Sequence, residues 1–298
     1  MFSRSSWLHL RIPFSFFLLP VFLFSLALSP NLDPARIFWV FFIVHFLLYP
    51  ASNGYNSYFD KDEESIGGLR NPPKVDRGLY TLSLLLDALA IVLGFMLVNK
   101  LFALMLFIYG LVSKMYSHPR VRLKRYPITG WLAAGFFQGL FTFLMCYIGT
   151  NDFPLSAALN AQVTIAGLLT SLMLLGNYPI TQVYQHREDA RRGDLTISRM
   201  LGIQGTFKLT GAVFLLVFIC FAWYFISFFE LLYGALFVIA IFPVGIYFTY
   251  WILQVWQDVQ AADYDHTMRL NLVSATCLNV FFLFLLVDSH NLAQLAKI

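Results

Sequence analysis

Charged residues are scarce in this chain. Asp, Glu, Lys and Arg account for only 12% of its 298 residues, whereas 59% are hydrophobic. Soluble domains carry roughly 25% charged residues, and a single buried core does not explain so large a deficit. The charges are also clustered, with long apolar runs between the clusters. The composition therefore excludes an ordinary soluble domain and indicates a protein that crosses a membrane several times.

Cysteine is rare as well. Cys146, Cys220 and Cys277 all fall inside apolar runs, with neither a metal-ligand spacing nor a disulfide framework. We interpret them as small buried apolar residues. Low-complexity tracts, linkers and long polar stretches are absent too, so the sequence predicts a single transmembrane domain over residues 1–298. We expect membrane lipids around it and no nucleic-acid partner.

Nine apolar segments are long enough to cross a bilayer, which takes about 20 residues. They lie at 13–30, 37–57, 78–98, 101–117, 129–149, 158–184, 207–227, 231–255 and 270–288. We predict helices, because an open strand leaves its backbone groups unsatisfied in lipid and no alternating barrel pattern is visible. The first segment resembles a secretory signal, but we expect it to be retained because the second follows it closely.

Lys and Arg are unevenly divided between the two sides of this predicted bundle. The N-terminus and the loops after every second span hold 17 of the 20, and the other side has only Arg36, Lys100 and Lys297. The positive-inside rule makes the first side cytoplasmic. That side also has the longer loops, at 58–77, 118–128, 185–206 and 256–269. We therefore expect the functional site at the cytoplasmic face.

An acidic motif follows the second span. Asn56, Asp60 and Glu64 are spaced four residues apart. If the helix continues through them, all three lie on one face, about 6 Å apart along the axis. One amide and two carboxylates suit Mg²⁺, which prefers oxygen ligands and is usually held by one or two carboxylates together with substrate phosphates.

A second motif, after the sixth span, repeats this spacing with Gln185 and Asp189, and three arginines lie close by in sequence. Carboxylates bind a metal cation while Arg forks bind phosphate oxygens, so the combination suits a metal–diphosphate complex. Either loop alone is also compatible with a solvated turn of mixed charge. The shared spacing, on one side of the membrane, favours a joint site.

Both motifs resemble those of the UbiA prenyltransferase superfamily. Asn56, Asp60 and Glu64 match its Asn-Asp-x-x-Asp-x-x-x-Asp pattern, with Ser57 at the second position and Glu64 for the final Asp. The second motif resembles the family's Asp-x-x-x-Asp followed by Gly and Thr. Its residues here are Gln185, which replaces the first Asp, and Asp189, Gly193 and Thr196.

The resemblance implies an all-α integral membrane bundle of nine helices with a cytoplasm-facing active-site cavity. It also implies Mg²⁺-dependent transfer of an isoprenyl group from a prenyl diphosphate to an acceptor, with release of pyrophosphate. The implied metal ligands are Asn56, Asp60, Glu64 and Asp189. The implied catalytic residues are Asp60, Asp189 and Lys124. The residues expected to bind substrate are Asn56, Arg70, Arg120, Arg125, Gln185, Asn177 and Tyr178.

The identity of the acceptor stays open. A quinone-type aromatic acceptor is favoured, but a porphyrin or a glycerol-phosphate lipid fits the same motifs, and the sequence selects neither prenyl chain length, number of magnesium ions nor oligomeric state. The alternative class is a small transporter or channel, whose charges would lie near the midplane of broken helices. Asp87 sits inside the third span as either a functional group or a helix contact. We predict that His45 is a bundle contact, and that Asp258, Asp263, Asp265 and His266 form a solvated turn.

Overall fold

The computed structural model describes residues 2–292, and nine of the helices in that range are long and apolar enough to cross a membrane. They are α1 (Arg4–Ala27), α2 (Pro34–Asp60), α3 (Gly78–Leu97), α4 (Lys100–Ser117), α5 (Pro127–Asn151), α6 (Ala161–Arg192), α7 (Ile197–Phe228), α8 (Leu231–Gln257) and α9 (Tyr264–Ser289). Their number and order confirm the prediction. The chain is thus all-helical over the described residues, as a multi-pass integral membrane protein requires.

Consecutive helices pack as neighbours, and α9 returns to pack against α1. At that junction the Phe24 ring stacks on Phe282 with centroids 4.5 Å apart. Phe143, Phe221 and Phe225 surround Phe24, and all five side chains are fully buried. This aromatic cluster closes the bundle between its first and last helices.

Helix α5 approaches α6 closely at Gly139. A Cβ atom there would lie 2.4 Å from the Ser171 Cα, so only glycine fits the crossing. The backbone of Gly139 departs from helical geometry, at φ −92° and ψ −105°. The Leu140 N–H instead donates to the Ser171 hydroxyl at 2.8 Å. The crossing fixes α6, which carries the second acidic motif, against α5.

A proline inside α6 adds a second tie between the same helices. Pro179 has no N–H to donate to the carbonyl of Leu175, four residues earlier. The indole Nε1 of Trp131, on α5, donates to that carbonyl at 2.8 Å. Because the free carbonyl is satisfied from outside the helix, α6 passes the proline and continues to the polar end of the bundle.

The helices run further into polar sequence than the hydropathy pattern predicts. Helix α6 ends only at Arg192 and α7 begins at Ile197, so the predicted loop 185–206 shrinks to 193–196. The apolar run in a sequence ends where the helix leaves the lipid, but the backbone hydrogen bonds of the helix continue beyond that point. Gly193, with a φ of 72°, provides the left-handed residue that ends α6.

The expected continuation of α2 through Glu64 is wrong. The helix ends at Asp60, and Lys61 takes a left-handed backbone with φ 51°, its N–H bonded to the Ser57 carbonyl at 3.0 Å. The chain therefore changes direction one residue after Asp60. Glu64 leaves the face that Asn56 and Asp60 share.

The remaining polar positions are structural contacts. Asp87 forms a buried ion pair with Lys114 of α4. Of the two alternatives for Asp87, a functional group or a helix contact, the structure shows the helix contact. The His45 ring packs at 4.9 Å from Phe41 in the bundle. Asp263 accepts the backbone N–H of His266 at 2.8 Å and caps α9. The predicted solvated turn is therefore wrong for Asp265 and His266, which are half-buried in the first turn of that helix. Lys297, assigned above to the less basic side, lies outside the described residues.

Candidate active site

A polar cavity of about 210 Å³ lies where the ends of α2, α4, α5 and α6 meet. Asn56 and Asp60 reach it from the last turns of α2, and Gln185 and Asp189 reach it from the end of α6. The structure thus brings the two acidic motifs to one site, with Glu64 as the exception.

Asp60 is the buried centre of the first motif. Asp60 is 9% exposed, and one of its carboxylate oxygens pairs with the ammonium of Lys124, which is itself 7% exposed. The other oxygen lies 3.3 Å from Nη2 of Arg122. Arg122 adopts a left-handed backbone, φ 46°, immediately before the short 3₁₀ turn Leu123–Arg125, and Lys124 in that turn lines the cavity.

Arg122 also ties the loop after α4 to the loop after α6. Its Nε and Nη2 atoms contact the two oxygens of the fully buried Asp194 at 2.6 and 2.7 Å. This bidentate bond raises the pKa of Arg122, so the guanidinium stays charged. The pairing holds the basic turn and the second motif in fixed positions beside Asp60.

Arg192 links the carboxylates of both motifs. It pairs with Asp62 and contacts Asp189, with 2.9 Å between Nη2 and Oδ1. Burial, and next the nearby Asp60 carboxylate, raise the pKa of Asp62, which Arg192 opposes. Among residues 2–292, the second oxygen of Asp189 accepts a single long hydrogen bond, from Thr196 at 3.4 Å. Asp189 therefore has capacity for a further ligand in the cavity.

Glu64 lies outside the cavity wall. Its side chain is 37% exposed, and one carboxylate oxygen lies 3.6 Å from Nη1 of both Arg187 and Arg191. The left-handed turn at Lys61 is the reason, because it sends the following residues over the end of α6. The acidic residue that lines the cavity from this loop is instead Asp62.

Of the four basic residues predicted for the site, the three expected to bind substrate do not line the cavity. Arg70 pairs with Asp265 at the surface, with 60% of its side chain exposed. Arg120 and Arg125 are exposed on either side of the inward-facing Lys124. Only Lys124 lies in the wall.

Arg11 is a cavity residue for which the sequence held no signal. Its guanidinium donates to the carbonyls of Gly67, at 3.2 Å, and Asn53, at 3.4 Å. No carboxylate lies within ion-pair distance of it in the described range, and its Nε is buried without a hydrogen-bond partner there. Arg11 is thus a cavity cation without an acidic partner.

The cavity wall contains three carboxylates, Asp60, Asp62 and Asp189, and three cations, Arg11, Lys124 and Arg192. Within residues 2–292 no three acidic, His or Cys side chains converge tightly enough to hold a metal by themselves. The oxygen donors are nevertheless those that Mg²⁺ takes, and it commonly completes its shell with substrate phosphates. In addition, the side-chain oxygen of the buried Gln182 in the wall has no partner in the described chain. The donor set therefore fits a metal–diphosphate complex.

Two further cavities continue from the charged one. A neck of about 150 Å³ shares Tyr178 and Thr181 with the charged cavity. Asn177 and Asn271 then line both the neck and a chamber of about 510 Å³ between α6, α7, α8 and α9. Of the residues predicted to bind substrate, Tyr178 thus lines the charged cavity and Asn177 the chamber.

Comparison with known proteins agrees with this architecture. The sequence profile of the UbiA prenyltransferase family matches residues 17–273. The chain belongs to this family. Comparison of this UbiA-family protein with curated protein sequences gives no match.

Solved structures share its fold at low sequence identity. A UbiA homologue from Archaeoglobus fulgidus, bound to GPP and Mg²⁺, has a TM-score of 0.63 and 15% identity, over 95% of this chain and 99% of that one. The same homologue bound to Cd²⁺ gives 0.66 and 16%, over 94% and 99%. A structure described as a digeranylgeranylglyceryl phosphate synthase gives 0.59 and 17%, over 96% and 98%. At these identities the likeness establishes the fold.

Proposed function

We propose that this UbiA-family protein is an intramembrane prenyltransferase. It transfers an isoprenyl group from a prenyl diphosphate to a lipid-soluble acceptor and releases pyrophosphate. The observation that supports this is one cavity in which Asp60 pairs with Lys124 and Asp189 pairs with Arg192. The bound diphosphates of the Archaeoglobus homologue agree with it.

Binding of the diphosphate is an exchange of ion-pair partners. Lys124 and Arg192 turn from carboxylates to phosphate oxygens, and Arg11 adds a guanidinium that has no carboxylate to give up. Mg²⁺, when bound by Asp60, Asp62 and Asp189 with the Asn56 amide oxygen, would neutralise charge on the leaving diphosphate. The carboxylates that lose their Lys or Arg partners would thus bind Mg²⁺, and the freed Lys and Arg side chains would bind phosphate oxygens.

The covalent step breaks the C1–O bond of the prenyl diphosphate, and the bonding electron pair leaves with the pyrophosphate. A ring carbon or oxygen of the acceptor gives an electron pair to C1, and the proton that it loses leaves on the pyrophosphate. Lys124, Arg192 and Arg11 stabilise the negative charge that grows on the leaving group. The exchange of partners takes place on binding, so the bond-breaking step itself requires little further reorganisation.

The isoprenyl chain needs an apolar surface beside this charged site. Val112 of α4 and Ala133, Ala134 and Phe137 of α5 provide one within the same cavity. The aromatic faces of Phe137 and Tyr178 favour positive charge at the allylic carbon electrostatically. We place the chain along this α4–α5 wall.

We further propose that residues 1–298 form one domain with the cavity on the cytoplasmic side, supported by the 17 of 20 Lys and Arg residues on that side. Of the acceptor classes, the quinone type remains favoured.

A panel of labelled prenyl diphosphates and acceptors tests the proposal. Purified wild type in nanodiscs should release pyrophosphate and form a labelled product with at least one pair in the presence of Mg²⁺. A transporter would instead move substrate across proteoliposomes and release no pyrophosphate. Flux without pyrophosphate release would overturn the proposed function.

A further inference from the structure

The chamber between α6, α7, α8 and α9 contains polar atoms that a hydrocarbon chain cannot satisfy. The Asn177 amide donates to Oδ1 of Asn271 at 3.2 Å, which leaves the Asn177 oxygen buried without a partner among residues 2–292. Ser274, three residues after Asn271 and so on the same face of α9, has a hydroxyl in the same condition. Buried polar atoms are nearly always paired, so these atoms indicate a ligand that carries a hydrogen-bonding group.

The chamber lining that the structure describes is uncharged. Within the described range, no Asp, Glu, Lys, Arg or His lines the chamber, and none lines the neck. A carboxylate or phosphate placed there would be desolvated without a cation, which is strongly unfavourable. The ligand that fits is therefore uncharged.

The neck connects this chamber to the place where the new bond would form. Along α2, the neck residues Tyr49, Ser52 and Asn53 lie deeper in the bundle than Asp60. Along α6, Asn177 lies deeper than Asp189 in the same way. A diphosphate held by the charged residues leaves toward the end of the bundle, and the attacking atom must approach C1 from the opposite side. That side is the neck.

We propose that the chamber is the acceptor site, and that the acceptor is an uncharged, lipid-soluble molecule whose hydroxyl or phenol group donates to the Asn177 oxygen. This proposal rests on the prenyltransferase function above and narrows its acceptor. A phenol or quinol ring fits the two unpaired polar atoms, on Asn177 and Ser274, and the apolar wall. An aromatic acid or a glycerol phosphate lacks a cationic partner there.

A matched pair of probes tests the proposal, 1-naphthol and 1-hydroxy-2-naphthoic acid, which differ by one carboxylate. Binding to the whole protein in nanodiscs is measured by equilibrium dialysis without prenyl diphosphate, with empty nanodiscs subtracted. Wild type should bind the naphthol and prefer it to the acid. Asn177→Leu should weaken naphthol binding by about five- to tenfold, the loss of one hydrogen bond.

A second variant fills the chamber without touching its polar atoms. Gly245 of α8 lines the chamber, and a Cβ there would meet no atom within 4 Å, so Gly245→Phe adds a ring at the chamber wall without backbone strain. It should weaken naphthol binding by about tenfold or more. Ile246→Phe is the matched control, since that neighbouring side chain is 56% exposed on the lipid side and does not line the chamber. It should bind the naphthol as wild type does.

Equal binding of the acid, or unchanged naphthol binding in Gly245→Phe, would overturn the acceptor site. A rise in KM for geranyl diphosphate alone in Gly245→Phe would also overturn it, because the chamber would then hold the isoprenyl chain. If wild type binds the naphthol as expected yet releases no pyrophosphate, the acceptor site stands and the prenyltransferase function fails.

Discussion

Arg11 provides a sharp test of how the cavity recognises diphosphate. Lys124 and Arg192 must each leave a carboxylate before they bind phosphate. Arg11 pairs with no carboxylate among the described residues; it donates to the carbonyls of Gly67 and Asn53 and lies over the Phe14 ring. A hydrogen bond from a charged donor contributes about 1.5–3 kcal/mol, which corresponds to a change of roughly 10- to 150-fold in affinity. Arg11→Gln should therefore weaken pyrophosphate binding by that factor, and Arg11→Lys, which keeps the charge without the fork, by less.

Isothermal titration of inorganic pyrophosphate with Mg²⁺, at fixed ionic strength, measures this loss directly. Arg187→Gln is the control, because that side chain is 75% exposed on the same end of the protein and contacts Glu64 rather than the cavity. Thermal unfolding checks that the variants remain folded. The reasoning is refuted if Arg11→Gln binds pyrophosphate as wild type does, or if Arg187→Gln loses as much.

Substitutions at Gln185, at Glu64 and at the Asp87–Lys114 pair have definite expected outcomes. Gln185→Ala should cost less than about tenfold in Mg²⁺ affinity, as expected for a neutral oxygen, and Gln185→Asp should match or tighten it; titration of activity with Mg²⁺ that showed a large loss in either would contradict this. Glu64→Gln removes a half-exposed ion pair worth about 0–1 kcal/mol, so the Mg²⁺ half-saturation point should hardly move, and a large shift would make Glu64 a ligand after all. Asp87→Ala leaves Lys114 buried and unpaired, which should lower the free energy of unfolding by about 3–5 kcal/mol. Changing both Asp87 and Lys114 to Leu should restore most of the unfolding temperature in detergent. If the double variant lost as much stability as Asp87→Ala, the ion pair would be contradicted.

The membrane helices and the meeting of the motifs were predictable because both follow from chemistry local in the sequence. A run of apolar residues needs lipid, and the spacing of Asn56 to Asp60 and of Gln185 to Asp189 already suggested two sets of oxygen donors for one metal. Their common cavity follows from the side of the membrane on which both loops fall. Neither inference depended on details of backbone geometry.

The rest of the site depends on backbone turns that these residue types do not demand. Lys61 and Arg122 both take left-handed conformations, which are uncommon outside glycine. The turn at Lys61 directs Glu64 out of the cavity and Asp62 into it. Arg122 immediately precedes the 3₁₀ turn from which Lys124 lines the cavity.

The place of Arg11 in the cavity results from a contact between segments distant in sequence rather than from a local turn. It lies far in sequence from Asp60 and Asp189, and only the packing of the N-terminal segment beside α2 places it in the cavity. No motif in a single sequence records such a contact.

The central claim is that the acidic residues of one cavity support prenyl transfer, and Asp60 and Asp189 test it most directly. Pyrophosphate and prenylated product should be quantified together against Mg²⁺ for wild type, Asp60→Ala, Asp189→Ala and the Asn variants that preserve side-chain shape, with the surface change Asp265→Ala as control. We predict equal amounts of both products from wild type and from the control, and almost none from the Asp60 and Asp189 variants although they remain folded. Variants at Asp60 and Asp189 that match an active wild type would contradict the assigned site.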